Sequence, residues 1–467
     1  MRYYIKIFGC QMNQSDAERI SAFLEKYKIK KASSIDEANL IIFVTCGVRQ
    51  SAEDRVYGQT NNIRKKYSDK KIILTGCLAH RKDVQRRLKG KVDLFCEIKN
   101  FPKEIKKILN TKYQIPDTKT ELCNDYLRIA PKYANKYTAY MPIMTGCNNF
   151  CAYCVVPYAR GREYSRPAEE ILKEVKGLVK KGYKEIMLLG QNVNSYYCHP
   201  ERNPDGLVGM QPRDLRVLAN SKPLLSREDS STPLRSGRND KIINFPKLLR
   251  LIEKISGNFW LTFLTSHPKD MSGELIEKIA NSKKICEYIS LPAQSGDNEI
   301  LRKMNRKYTI EHYKILIKKI RKAYKKYQPD ILPSISTDVI VGFPGETKRQ
   351  FENSAKLLKE TKLDMAYIAQ YSPRPQTLAW DLKDNVSKKE KERRDKALVN
   401  ILTKTALANN KRYVGKTVEV LVDADNKGHT RTQKKVIFSS NKKIPIGSFS
   451  KVKITKAKVF GLEGEVL

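Results

Sequence analysis

Gly146-Cys147-Asn148-Asn149-Phe150-Cys151-Ala152-Tyr153-Cys154 follows directly on an apolar run at 140–144 that reads as a β-strand. Three thiols here converge on one point, and thiolates are the soft ligands that iron-sulfur clusters require. Three of them on a four-iron cube leave one iron open to another ligand. Zinc is the competing occupant. It would want a fourth donor in a closed site, and no His or further Cys lies nearby before Cys198 and His199.

Outward from this loop the chain alternates strand and helix. Strands are expected at 140–144, 185–189, 260–264, 288–291, 336–341 and 366–371. Six βα units are too few to close an eight-stranded barrel, so residues 133–372 are expected to form an open (β/α)6 partial TIM barrel with its active face at the strand C-termini. Residues 198–240 break the rhythm and read as an inserted loop. Upstream, 1–118 shows apolar runs at 4–8, 40–45, 72–75 and 92–95, the pattern of an α/β domain with a doubly wound parallel sheet. Residues 111–135, with Pro116 and Pro131, read as a linker. Downstream, 373–410 reads as a charged helical connector. Residues 411–467 carry short alternating strands at 418–422, 435–438 and 451–454, the pattern of a small all-β barrel.

Cys10, Cys46 and Cys77 form a second constellation. Each stands just beyond an expected strand and beside a glycine, Gly9, Gly47 or Gly76. Ligand sites of parallel sheets lie outside the strand C-termini, so three separate loops can meet at one cluster. Any one of these cysteines would read as a small buried hydrophobe; three at equivalent places do not. Cys96 also follows a strand and is read as a packed bystander. Cys123, Cys198 and Cys286 are read as packing residues.

A chain of 467 residues exceeds what one core organises. Ninety Lys plus Arg against fifty Asp plus Glu leave a formal charge of +40, which suits a polyanionic partner. Lysine also merely solvates helical faces, and the run at 388–394 has that look. Residues 411–467 hold thirteen Lys or Arg against five Asp or Glu, consistent with gripping an RNA backbone. No apolar run is long enough to span a bilayer, and residues 1–10 lack the features of a secretory signal, so a cytoplasmic location is expected. Ten cysteines in a reducing compartment point to metal ligands rather than disulfides.

The CxxxCxxC spacing, with Tyr153 before the last cysteine, resembles the signature of the radical S-adenosylmethionine superfamily. Gly9-Cys10-Gln11-Met12-Asn13, Thr45-Cys46-Gly47-Val48-Arg49 and Gly76-Cys77 resemble the N-terminal domain of the methylthiotransferases. Val155 to Arg162, Leu189-Gly190-Gln191-Asn192, Thr265-Ser266-His267-Pro268, Leu291 to Gly296 and Val341 to Thr347 are similar to that family's barrel motifs, and the final domain resembles the TRAM module. The resemblance runs nearly end to end. The Gln-Met-Asn run resembles the MiaB-type branch of the tRNA methylthiotransferases, which acts on isopentenyladenosine beside the anticodon.

The resemblance implies two [4Fe-4S] clusters, on Cys147, Cys151 and Cys154 and on Cys10, Cys46 and Cys77, with the six cysteines as the catalytic set. It implies S-adenosylmethionine bound at the first cluster. One electron would cleave it to a 5′-deoxyadenosyl radical, which removes hydrogen from C2 of the adenine, while another S-adenosylmethionine methylates sulfur on the second cluster. Residues implied beside this cofactor are Tyr153, Gly190, Gln191, Asn192, Ser266, Gln294, Gly342, Glu346 and Tyr371. The expected partners are tRNA and an electron donor such as flavodoxin or ferredoxin; the sequence does not identify the sulfur donor, and a monomer is expected. Threonylcarbamoyl-adenosine in tRNA, or an aspartate of a ribosomal protein, are the rival substrates. A noncatalytic iron-sulfur RNA-binding protein is the rival from another class. His267, one histidine before a proline, reads as structural rather than as a base. Residues 342–348 lack the pattern of a nucleotide phosphate loop. The sequence departs from the family in the 198–240 insertion and at Gln376, where glycine is usual and a left-handed residue would be strained.

Overall fold

The computed structural model describes residues 1–109, 126–198 and 242–467. Cys123, much of the expected linker and all but the first residue of the expected insertion lie outside them.

In the N-terminal domain, β1 (Arg2–Phe8), β2 (Lys30–Lys31), β3 (Leu40–Thr45), β4 (Lys71–Gly76) and β5 (Leu94–Cys96) form a parallel sheet in the order β2-β1-β3-β4-β5. Every residue of β3 is buried, as a strand covered on both faces must be. Leu40, Ile42 and Val44 pack with Ala17, Ile20 and Leu24 of helix α1 (Gln11–Lys26). Ile41 and Phe43 pack on the opposite face with Val56, Tyr57 and Ile63 of helix α2 (Gln50–Lys66). The sheet is therefore doubly wound. Its strand order reverses between β1 and β3, so the crevice at their C-termini is the natural ligand site. Cys96 packs in the α1-side core as a hydrophobe. The two-lysine β2 carries no apolar signal and was not foreseen.

The central domain places β6 (Thr138–Pro142) beside a two-stranded hairpin of β7 (Met144–Thr145) and β8 (Tyr164–Ser165). A parallel sheet follows with β6 joined to β9 (Glu185–Leu189). The short pair β10 (Tyr197–Cys198) and β11 (Ile243–Asn244) closes the neck of the insertion. β12 (Trp260–Phe263) extends the first sheet to β12-β9-β6, and β13 (Tyr288–Ser290), β14 (Ser334–Val341) and β15 (Met365–Gln370) form the second. A parallel bridge between Leu261 and Ile285 joins the two. The outer strands β6 and β15 do not pair, giving the open six-stranded barrel. Alternation along the strands separates two faces. Ile289, Ile335, Val339 and Val341 point out to the helices, leaving Tyr288, Ser336, Asp338 and Ile340 on the inner face.

Helix Lys388–Lys411 corrects one expectation. The run at 388–394 is solvated only in part: Lys388, Lys389 and Arg393 are exposed, but Lys391 and Arg394 are buried and continue into Leu398, Leu402 and Ala406 against the barrel. Lys391 Nζ donates to Asp384 at 2.6 Å, and Arg394 donates to Glu346 at 2.7 Å. Helical periodicity hid this face among its charged neighbours.

At the C-terminus, β16 (Thr417–Ala424), β17 (Lys427–Thr430), β18 (Lys435–Ser439), β19 (Phe449–Lys458) and β20 (Gly461–Val466) close a small barrel around Val420, Val422, Phe438, Val452 and Leu462. It sits on the N-terminal ends of the central strands: Glu419 accepts from Trp260, Arg431 donates to Glu287, and Lys434 donates to Asp364. Cys286 is buried in that joint. The opposite end of the central barrel stays free for chemistry. Among the described residues no helix is long and apolar enough to cross a membrane.

Candidate active site

The β7–β8 hairpin brackets the three-cysteine loop. Gly146 takes φ +78, and a Cβ there would fall 1.9 Å from the Arg162 carbonyl, so only glycine lets the two arms cross. Cys147 N–H donates to the Gly161 carbonyl at 3.1 Å. The loop is pinned from the far side by Ala152 N–H donating to Met304, Ala379 N–H donating to Ala152, and the Asn305 amide donating to the Phe150 carbonyl at 2.9 Å. Burial pushes the Cys147 thiol up to about 11 and also raises Cys154, which further feels Cys151. A metal centre is what would hold such thiols as thiolates. Arg306 Nη1 lies 3.5 Å from Cys151 Sγ, while Nη2 donates to the Pro292 carbonyl at 2.9 Å. Sequence reasoning missed Arg306, whose only signal is a basic run that resembles solvated lysine.

The second triad forms at the switch point of the N-terminal sheet, where Cys10, Cys46 and Cys77 leave β1, β3 and β4. Asn13 couples two of its loops: its amide donates to the Thr45 carbonyl at 2.7 Å, and its oxygen accepts from Cys10 Sγ at 3.3 Å. Cys77 N–H donates to the Thr45 carbonyl. Burial and the neighbouring Cys77 push Cys46 up to about 11. A Cβ on Gly47 would lie 3.1 Å from the Cys77 carbonyl and 3.2 Å from Val155 Cγ2. Val155 adjoins Cys154, so the two triads approach each other across this contact, and Cys77 contributes to raising Cys154. Among the described residues no three His, Cys, Asp or Glu side chains gather tightly enough for a single metal ion. A cube of four irons takes each thiolate at a separate corner and does not need that closeness.

Beside the first triad, Gln191 Oε1, Asn192 Oδ1, Ser266 Oγ, Gln294 Oε1 and Glu346 Oε1 are buried without a hydrogen-bond partner among the described residues. Each such atom costs about 1–3 kcal/mol, so their concentration at the strand C-termini fits a polar ligand such as S-adenosylmethionine. Thr265 (φ 70) and Gln294 (φ 67) stand in the left-handed region there, a local strain of the kind found at functional sites. Tyr153 packs against the cluster that holds Phe343 and Tyr371. Three expected residues do structural work. Gly190 leaves room for Met144, whose Cγ would be 2.6 Å from a Cβ. The Tyr371 hydroxyl donates to the Ala379 carbonyl at 2.8 Å. Glu346 Oε2 closes the turn by accepting from Gly342 N–H at 2.6 Å. His267 is neutral: its Nδ1 accepts from Lys269 N–H at 3.2 Å, and burial pushes its pKa down to about 2. Gln376 does take the left-handed conformation, at φ 73.

Buried charges join the two domains. Arg160 donates to Asp16 at 2.6 Å. Arg374, from the segment after β15, donates to Glu53 at 2.8 Å and to Gln50 at 2.7 Å, and Arg81 donates to the same Glu53 at 2.7 Å. Met12 enters the barrel mouth against Met187 and Leu189.

A three-thiol loop on the active face of an open parallel barrel defines a radical S-adenosylmethionine protein, and residues 141–358 match the model of the Radical SAM superfamily. Residues 2–97 match Uncharacterized protein family UPF0004, and residues 411–467 match the TRAM domain. Similar relatives each bear the name tRNA-2-methylthio-N(6)-dimethylallyladenosine synthase. That of Clostridium novyi is 39% identical, covering 100% of this chain and 96% of its own. Those of Thermoanaerobacter pseudethanolicus and Carboxydothermus hydrogenoformans are both 37% identical, covering 100% and 99% of this chain and 92% and 98% of their own. The chain belongs to this family of enzymes.

Proposed function

We propose that this enzyme adds a methylthio group to C2 of N6-isopentenyladenosine beside the anticodon of tRNA. The observation that carries the reading is the approach of two cysteine triads across Gly47 and Val155, one at the strand ends of the N-terminal parallel sheet and one in the loop bracketed by the β7–β8 hairpin. Full-length kinship with enzymes named for this product supports it. Cys147, Cys151 and Cys154 would hold one [4Fe-4S] cluster and Cys10, Cys46 and Cys77 another. When bound, the clusters and S-adenosylmethionine supply an electron, a carbon-centred radical and a transferable methylthio sulfur.

The chain's own residues bind, orient and exclude. Gln191, Asn192, Ser266 and Gln294 offer buried polar atoms to the cofactor, and Tyr153 offers its ring. Met12, Met187 and Leu189 keep water from the mouth. The basic C-terminal barrel grips the RNA backbone, and the target adenosine must leave its stack to reach the cleft. A flavodoxin or ferredoxin is the expected reductant.

Anaerobically reconstituted protein should hold about eight irons per chain. Mass spectrometry of its tRNA product should show methylthio-isopentenyladenosine. Cys77→Ala should leave S-adenosylmethionine cleavage measurable and abolish thiolation, whereas Cys151→Ala should abolish both. Equal loss from the two changes, or methylthiolation confined to threonylcarbamoyl-adenosine, would overturn the reading.

A further inference from the structure

The inner wall of the central barrel divides into two unlike halves. On the β6, β9 and β12 side, Tyr140, Met187, Leu189 and Leu264 are covered by Met12 of α1, which makes an apolar plug. On the β13, β14 and β15 side the inner face carries Tyr288, Ser336, Asp338 and Tyr367 instead. Strand alternation puts them there, because Ile289, Ile335, Val339 and Ala366 occupy the outer core. The register sets Asp338 beside Tyr367. Tyr288 and Ser336 bond to each other through their hydroxyls at 2.7 Å and form a floor under them. Ile340, next on this face, packs against the same apolar cluster as Tyr153 of the three-cysteine loop.

Two features of this half are unexplained by folding. Tyr367 is 48% exposed, although it lies on a strand whose other face packs into the core. The Asp338 carboxylate has no hydrogen bond or ion pair among the described residues. Its side chain is only partly buried, so water can meet the carboxylate in the free enzyme and a ligand donor can take that place in the complex. Arg49, three residues beyond Cys46, and Arg306, against Cys151, both exert their charge on it. Asp338 thus faces residues attached to each triad. Burial raises its pKa to about 6, which leaves it ionised and accepting at neutral pH.

We infer that Asp338 and Tyr367 seat the target base, with the Tyr367 ring stacked on the adenine and the Asp338 carboxylate accepting the N6–H. The inference rests on the function proposed above and names its specificity determinant. An N6-alkylated adenine keeps one exocyclic N–H, which an ionised carboxylate can accept, whereas a 6-oxo purine presents an acceptor that the carboxylate repels. Anchoring the base at N6 leaves C2, which makes no conventional hydrogen bond, free to react. An aromatic face is the usual platform for an extruded base.

The test uses cluster-loaded enzyme and two anticodon stem-loop RNAs, one with N6-isopentenyladenosine and one with an additional N6-methyl group that removes the N–H. Wild type should prefer the first by roughly tenfold or more in kcat/KM. Asp338→Leu should fall to the slower rate on both RNAs, and Asp338→Asn, which keeps an acceptor oxygen, should retain most of the preference. Tyr367→Ala should weaken RNA binding by roughly tenfold, read by fluorescence anisotropy. Iron content, S-adenosylmethionine affinity and RNA-free 5′-deoxyadenosine formation should be unchanged in all three variants. Equal rates of wild type on the two RNAs, or a loss of S-adenosylmethionine affinity in Asp338→Leu, would overturn the inference while leaving the proposed function standing. If wild type forms no methylthio product on the isopentenyl RNA, the function fails and this inference with it.

Discussion

Asp16 and Arg160 lie 2.6 Å apart with side chains 0% and 3% exposed, one from each domain. Removing the cation strands a buried carboxylate, so Arg160→Ala should destabilise the protein by about 3–5 kcal/mol in urea unfolding. Removing both charges, as in Asp16→Leu with Arg160→Leu, should recover much of that loss. Gln376, at φ 73, carries the strain that the sequence implied. Gln376→Gly should stabilise by up to about 1 kcal/mol, read as a rise in thermal midpoint. At this scale the six candidate cluster cysteines were legible because their spacing and glycine neighbours have few other uses. Arg306, Asn305 and Arg160 were not, because nothing local distinguishes a buried, committed arginine or asparagine from a solvated one.

The helix α2 carries a latch at its first turns. Glu53 is held between Arg81, four residues past Cys77, and Arg374 from the barrel, with all three side chains at most 5% exposed. Arg374 also donates to the Val48 carbonyl, two residues past Cys46. This network ties the Cys46 and Cys77 loops of the N-terminal triad to the barrel. Glu53→Gln weakens the charge at its centre with little change in volume. It should leave 5′-deoxyadenosine formation near normal and raise the ratio of 5′-deoxyadenosine to methylthiolated product by tenfold or more, since a misplacement of about 1 Å can cost that much. An unchanged ratio would show that the latch does not set the approach of the triads. Strands at this scale were readable from apolar runs such as Leu40–Thr45. The docking of helix Lys388–Lys411 was not, because its buried Lys391 and Arg394 carry the same charges as its solvated face.

Over the whole molecule, the small barrel caps the central strands at the end away from the cysteines, and His429 sits in that joint. Its Nδ1 lies 3.1 Å from Asp423 and its Nε2 3.3 Å from Glu185. Burial opposes its charge, yet the two carboxylates win and raise its pKa to about 9. A histidine held above its unfolded value contributes stability fully below about pH 6.5 and loses it as pH rises through about 9. The geometry at Nε2 is too bent for a hydrogen bond, so we expect roughly 2 kcal/mol from this site. The fall in thermal midpoint between pH 7 and pH 10 should accordingly be larger in wild type than in His429→Gln. Local chemistry was enough to dictate three folding units, the thiol loops and the basic end barrel, because periodicity, ligand spacing and charge are properties of short segments. Only packing at long range could bring Cys77 to Cys154 across Gly47, plug half the barrel with Met12 and leave Asp338 facing an open lumen. Those contacts join residues from distant parts of the chain, and no single segment carries a trace of its partner.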